Sequence, residues 1–256
     1  KVKPIMHNSL DKRKNLIHCI MNPITSNQSA NAILALGASP IMAEHPLEVA
    51  EITKNASALL LNTGNICDSR MAAMKVSANA ANKNNIPIVL DPVGIACSAL
   101  RRDFVDNLLE NYNFSVIKGN YSEIYNLYCK DYKTFGVDKE TLPEDFDIQK
   151  IARELSCRYH SIILATGEKD IISNGNSCDL ITGGTENLSL VTGTGCMLGA
   201  IIATFLPNGD YYEITKAACQ FFKDCGQKAS IAPSPGSFMV KLLDSIYENN
   251  YLKKFL

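Results

Sequence analysis

The chain has 256 residues, 46% of them hydrophobic and 20% charged, with a formal net charge of −1. That length buries a sizeable core, and the composition is that of an ordinary soluble globular enzyme. The near-neutral balance argues against nucleic acid or a membrane surface as a partner.

Nine cysteines are scattered along the chain without a CxxC. They read as reduced thiols in a cytoplasmic protein rather than a disulfide framework. Residues 1–14 lack the apolar run of a secretory signal, and the longest apolar stretch, 197–206, is too short for a bilayer.

In chain order, short apolar runs alternate with segments of helical period. Strands are expected at Leu16–Ile20, Ala58–Asn62, Pro87–Asp91, Ser115–Lys118 and Ile162–Thr166, nearly all apolar, as strands covered on both faces are. Helices are expected near 28–36, 46–56, 69–83, 100–111 and 147–159. This rhythm predicts an α/β fold with a mostly parallel central sheet and helices on both faces.

After Thr166 the rhythm changes. Asp170–Ser173, Asp179–Thr182 and Leu188–Val191 are separated by Asn-Gly and Gly-Gly, which predicts an antiparallel meander at one edge. Helices over Cys196–Phe205, Tyr211–Ala229 and Ser237–Glu248 close the chain. Residues 129–146 are polar and read as a surface loop, residues 1–14 as a flexible segment, and 1–256 as a single domain.

The most informative stretch for chemistry is Val191-Thr192-Gly193-Thr194-Gly195-Cys196, a glycine turn entering an apolar helix. Two glycines expose consecutive N–H groups at a helix start, a place suited to an anion. Cys196 there is expected to have a lowered pKa and to be a candidate base; a tight turn with a buried thiol is the plainer alternative. There is no GxxxxGK[ST], so a P-loop is excluded. The spacing of Gly193, Gly195 and Gly199 does not match the dinucleotide fingerprint.

Asp91 ends the strand IPIVLD and points to the carboxyl side of the sheet, where ligands of such folds bind; a helix cap is its alternative. In Lys118-Gly119-Asn120-Tyr121-Ser122-Glu123, Asn120 and Glu123 have capping-box spacing. Alternatively, Glu123 joins Asp91 at a magnesium ion while Lys118 faces a phosphate. Thr166 is a further polar strand end. Met42 follows the small-residue segment Gly37–Pro40, and its flexible thioether suits an aromatic heterocycle, although such a Met also suits a core. The four histidines lack metal spacing.

Together, HCIMNP (18–23), GASPIMAEHPLE (37–48), ALLLNTGN (58–65), PIVLDPVG (87–94), VIKGNYSEI (116–124), ATGEKD (165–170), VTGTGCMLGA (191–200) and PGSF (235–238) resemble the hydroxyethylthiazole kinase family. The resemblance implies a ribokinase-like αβα sandwich, assembled as a homotrimer with active sites at subunit interfaces. It implies transfer of the ATP γ-phosphate to 4-methyl-5-(2-hydroxyethyl)thiazole, with Mg2+ as cofactor.

By the same resemblance Cys196 holds the catalytic position, where most superfamily relatives carry Asp. Met42, Gly193 and Asn22 match substrate-binding positions; Lys118, Thr166 and Gly195 match ATP-binding positions; Asp91 and Glu123 match those near the metal. Three residues depart from the usual pattern: Lys118 replaces Arg, Asn65 replaces Thr, and Met21 replaces Thr. The alternatives are a related kinase of hydroxymethylpyrimidine or pyridoxal, a hydrate dehydratase on the same fold, and a non-catalytic thiazole-binding subunit.

Overall fold

A computed structural model of the chain describes residues 15–129 and 146–249. The expected N-terminal segment over 1–14 lies outside the described residues, as does all but the two ends of the loop expected over 129–146.

Among the described residues the strands are β1 (Leu16–Ile20), β2 (Ser39–Ile41), β3 (Ala58–Asn62), β4 (Ile88–Asp91), β5 (Val116–Asn120), β6 (Ile162–Thr166), β7 (Asp170–Ser173) and β8 (Cys178–Ile181). They form one sheet in the order β2-β1-β3-β4-β5-β6-β7-β8. Pairing is parallel from β2 through β6 and antiparallel at β7 and β8. The mostly parallel sheet with an antiparallel edge is the expected one.

Helices cover both faces because the strands are apolar on both faces. Ala58 and Leu60 of β3 belong to the core shared with α1 (Pro23–Ala35), α7 (Thr194–Phe205), α8 (Tyr211–Ala229) and α9 (Pro235–Glu248). Leu59 and Leu61 belong to the opposite core, with α3 (Asp68–Lys83), α4 (Ala99–Asn111), α5 (Tyr121–Tyr128) and α6 (Ile148–Tyr159). The short α2 (Val49–Lys54) lies between β2 and β3 in the chain.

The period of two along each strand sets which polar residues meet. Val89 and Val116 face the α7 core, as does Leu60, so Asn62, Asp91 and Lys118, two positions on in each strand, face it too. Asn62 pairs in register with Asp91, and Lys118 lies one step beyond the pair Leu90–Ile117. Three polar residues therefore converge at the carboxyl ends of three adjacent strands.

α7 covers them. It buries 11 of its 12 residues, the pattern of a helix surrounded on all sides. Its fully buried Ile201, Ile202 and Phe205 each contribute roughly 1.5–3 kcal/mol relative to exposure.

Three differences from the sequence reading have local causes. Leu188–Val191 is not a strand: residues Glu186–Ser189 form a 3-10 turn, started by Thr185 and followed by Thr194 Oγ1 donating to the Leu188 carbonyl at 2.7 Å. The chain must leave the edge strand β8 here and return to α7 over the middle of the sheet. Helix α1 starts five residues before the expected 28, because Asn22 caps it and Pro23 takes the first helical position. The three-residue β2, inside the segment read only as small residues, pairs with β1 at the edge.

Candidate active site

The floor of the site is a buried charged and amide cluster. Lys118 Nζ lies 3.2 Å from Asp91 Oδ1, with both side chains almost fully enclosed. Asn62, wholly buried, donates through Nδ2 to Asp91 Oδ2 at 2.8 Å and to Cys196 Sγ at 3.2 Å. Its Oδ1 accepts from Gly64 N at 3.0 Å and from Asn22 Nδ2 at 2.9 Å, which fixes the direction of the amide.

Asn22 is oriented in the same way. Its Oδ1 accepts Thr25 N at the start of α1, leaving Nδ2 to face Asn62 and, at 3.7 Å, Cys196 Sγ. The Cys196 sulfur thus receives two amide N–H groups.

Burial pushes the Asp91 carboxyl up, opposed by Lys118 and Asn62. Burial pulls the Lys118 ammonium down, yet the negative groups around it, Asp91 first, hold it above its ordinary value. The pair is charged on the strength of its 3.2 Å geometry and the Asn62 donor.

The roof is the first turn of α7. Gly193 caps it at φ 92°, and a Cβ there would come within 2.8 Å of Thr25 Cγ2 on α1, so both the backbone and the packing demand glycine. The first-turn N–H groups have no acceptor within the helix. Gly195 stands over the lysine: a Cβ at Gly195 would be 3.6 Å from Lys118 Nζ. A helix N-terminus and an ammonium therefore face the same space, a setting for a polyanion.

The thiol itself departs from expectation. Burial and the neighbouring Asp91 carboxylate push the Cys196 thiol above its ordinary value, despite the helix start, Lys118 and the amide donors. Desolvation outweighs the helix-end effect, so Cys196 is a thiol at rest.

Glu123 forms the acidic wall. The capping box between Asn120 and Glu123 is present, with Glu123 Oε2 accepting Asn120 N at 2.8 Å. Its Oε1 accepts Gly94 N at 3.1 Å from the loop after β4. Structural cap and candidate ligand are one residue. Burial first, then the Asp91 charge, pushes its carboxyl up.

Asp91 and Glu123 fit a magnesium ion. Asp91 Oδ1 is a buried oxygen without a hydrogen bond, only the nearby ammonium compensating it. Two hard carboxylates, close enough for the charge of one to bear on the other, suit magnesium chemically. Among the described residues no group of three or more His, Cys, Asp or Glu is placed to hold a metal.

Thr166 ends β6 opposite Asn120, and its hydroxyl donates to the Gly119 carbonyl at 3.2 Å, beside Lys118. Met42 stands apart from this cluster. It lines a cavity of about 500 Å³ with Cys19, Met21, Pro23, Glu44 and Arg70. Asn22, which faces the sulfur, lies between two of those residues, Met21 and Pro23, in the chain.

Asn62 joins Asn22, Asp91 and Cys196, and sequence reasoning does not single it out. A signal for it exists: ALLLN ends an apolar strand on a polar residue, as IPIVLD does.

A profile described as the Hydroxyethylthiazole kinase family matches residues 8–250. The chain is 43% identical over 244 residues to Hydroxyethylthiazole kinase 2 of Clostridium botulinum, covering 93% of this chain and 92% of that protein. A solved hydroxyethylthiazole kinase protein from Pyrococcus horikoshii superposes with a TM-score of 0.83 at 32% identity, covering 94% of this chain and 92% of the other. A ribokinase-like superfamily protein from Enterococcus faecalis shares the fold, with a TM-score of 0.66 at 14% identity over 94% of this chain and 87% of the other.

Proposed function

Because the chain belongs to the hydroxyethylthiazole kinase family, we propose that it transfers the γ-phosphoryl group of ATP to the primary hydroxyl of 4-methyl-5-(2-hydroxyethyl)thiazole. The observation that carries this reading is the Asn62 amide. It ties the carboxylate of Asp91 and the sulfur of Cys196 to one rigid group under the first turn of α7.

The phosphates lie against the first-turn N–H groups around Gly193 and Gly195, with Lys118 below and Thr166 at the side. Lys118 supplies positive charge where negative charge builds during transfer. It lacks the two-pronged geometry of an arginine, so it holds phosphate as a point charge. Magnesium, bound through Asp91 and Glu123, would neutralise phosphate charge.

The thiazole ring occupies the cavity at Met42 and Met21, whose thioethers adapt to an aromatic face, and Asn22 directs the hydroxyethyl arm toward Cys196. In a loose transition state the attacking hydroxyl keeps its proton until late, so a strong base is unnecessary. Cys196, a thiol at rest, accepts the hydroxyl proton as its own proton passes to the oxygen of the transferred phosphoryl group, and the Asn22 and Asn62 amides hold the sulfur in place for that exchange.

Ile24 and Leu34 on α1 and Leu47 beyond Met42 are exposed apolar side chains, of the kind a second copy would cover. From the family resemblance, and not from this surface, we read the working unit as a homotrimer of single-domain chains in the cytoplasm, with small-molecule partners only.

The test is ADP release by the purified protein with ATP, magnesium and the thiazole alcohol, with hydroxymethylpyrimidine and pyridoxal in parallel. Turnover selective for the thiazole alcohol is expected. Folded protein that turns over pyridoxal or hydroxymethylpyrimidine equally well, or no alcohol at all, would overturn the reading.

A further inference from the structure

A second buried ion pair lies outside the cluster of Asn62, Asp91, Lys118 and Cys196. Lys223 Nζ of α8 is 3.3 Å from Asp170 Oδ2 at the start of β7, and both side chains are less than a tenth exposed. A buried pair of this kind is often no more stabilising than two apolar side chains of similar size. What it supplies is direction.

Asp170 Oδ1 accepts Gly167 N at 3.1 Å, closing the turn that begins at Thr166. Lys223 Nζ also approaches the carbonyl of Gly183, at 3.4 Å, in the segment leaving β8. Gly184, at φ 86°, crosses the lysine stem so closely that a Cβ would lie 3.2 Å from Lys223 Cγ. One ammonium thus joins the β6–β7 turn to the exit of β8.

On its other side the turn rests on α5. A Cβ on Gly167 would lie 2.7 Å from the Tyr121 ring, and the Tyr121 hydroxyl donates to the Lys169 carbonyl. Gly167 directly follows Thr166, whose hydroxyl donates to the Gly119 carbonyl next to Lys118, so the pair holds the turn that adjoins the phosphate end of the site.

We infer that Lys223 and Asp170 are positioning residues for the nucleotide side of the site: they hold the Thr166–Gly167 main chain and the Gly183 carbonyl in the arrangement that receives ATP. The inference rests on Thr166 facing the nucleotide. Neither residue touches the acceptor alcohol, so the pair governs the KM for ATP and leaves that for the thiazole unchanged.

The experiment replaces both charges together, Asp170→Leu with Lys223→Met, and compares the double variant with Thr166→Ala and Lys223→Arg. Apolar packing should keep the thermal midpoint at or above that of the parent. The KM for ATP should rise on the order of tenfold, the equivalent of about 1.4 kcal/mol, with the thiazole KM within about twofold by the same measure. Lys223→Arg, which keeps the charge, should restore most of the ATP affinity.

An unchanged ATP KM in the double variant, with Thr166→Ala impaired, overturns the positioning role. An unchanged ATP KM in Thr166→Ala overturns the site reading beneath it. If the double variant does not fold, Asp170→Asn takes its place with the same two readouts. Equal rises in both KM values there would show a merely structural pair and overturn the inference.

Discussion

Replacing Lys118 by Met would leave the Asp91 carboxylate buried with only the Asn62 amide for compensation. Removing one partner of a buried pair costs about 3–5 kcal/mol. Here the loss has a ceiling, because the stranded carboxylate can take up a proton. Neutralising an ordinary aspartate costs about 1.36 kcal/mol for each pH unit above its pKa near 3.9, so about 4 kcal/mol at pH 7 and about 1.5 kcal/mol at pH 5. In the variant the folded-state pKa lies above the unfolded one. The variant is therefore closest to the parent in acid and loses ground as pH rises. Urea unfolding followed by circular dichroism at both pH values, at one protein concentration, measures the difference directly. A loss that is the same at pH 5 and pH 7 would refute the reasoning. So would a loss below about 1 kcal/mol at pH 7, the value of an exposed pair.

Gly193→Ala combines a left-handed backbone, costing about 1–2 kcal/mol, with a contact on Thr25 that costs a further 1–3 kcal/mol or so; thermal unfolding should show a loss of about 2–5 kcal/mol, with kcat reduced because Cys196 moves. Cys196→Ala should lower kcat by about 10²-fold, the low end for general-base catalysis, with both KM values nearly unchanged. Cys196→Asp should keep substantial activity, since the Asn22 and Asn62 amides that face the sulfur suit a carboxylate equally, and a folded but inert Asp variant would count against a base at this position. Burial pushes the Asp91 and Glu123 carboxyls up, so activity should fall on the acid side above the ordinary carboxylate range while the circular dichroism stays unchanged. Protonating Glu123 relieves buried charge rather than unfolding the chain, and raising magnesium should shift the acidic limb to lower pH.

The parallel strands are legible in sequence because a strand covered on both faces is an unbroken apolar run, and ALLLN and IVLD end on the residues that matter. β2 is not, since three residues at a sheet edge carry no period. Leu188–Val191 alternates as a strand would, but the path from β8 back to α7 decides its shape, and that path exists only in three dimensions. Asp91, Lys118 and Cys196 can be nominated one by one from strand ends and a helix start. Their meeting point, Asn62, depends on the register between β3 and β4. The Cys196 shift runs opposite to expectation for a related reason: a helix start is visible in sequence, while enclosure by α1 and the sheet is not.

From β3 to β6 the order of strands across the sheet is also their order along the chain. A polypeptide leaving the ribosome N-terminus first can therefore add each strand to the one before it, and Asn62, Asp91, Lys118 and Thr166 are all synthesised before α7. Until residues 194–205 emerge, the floor has its charges but no roof, open to water and unable to grip a phosphate. Ligand recognition therefore waits on residues 194–205, which are synthesised after every part of the floor.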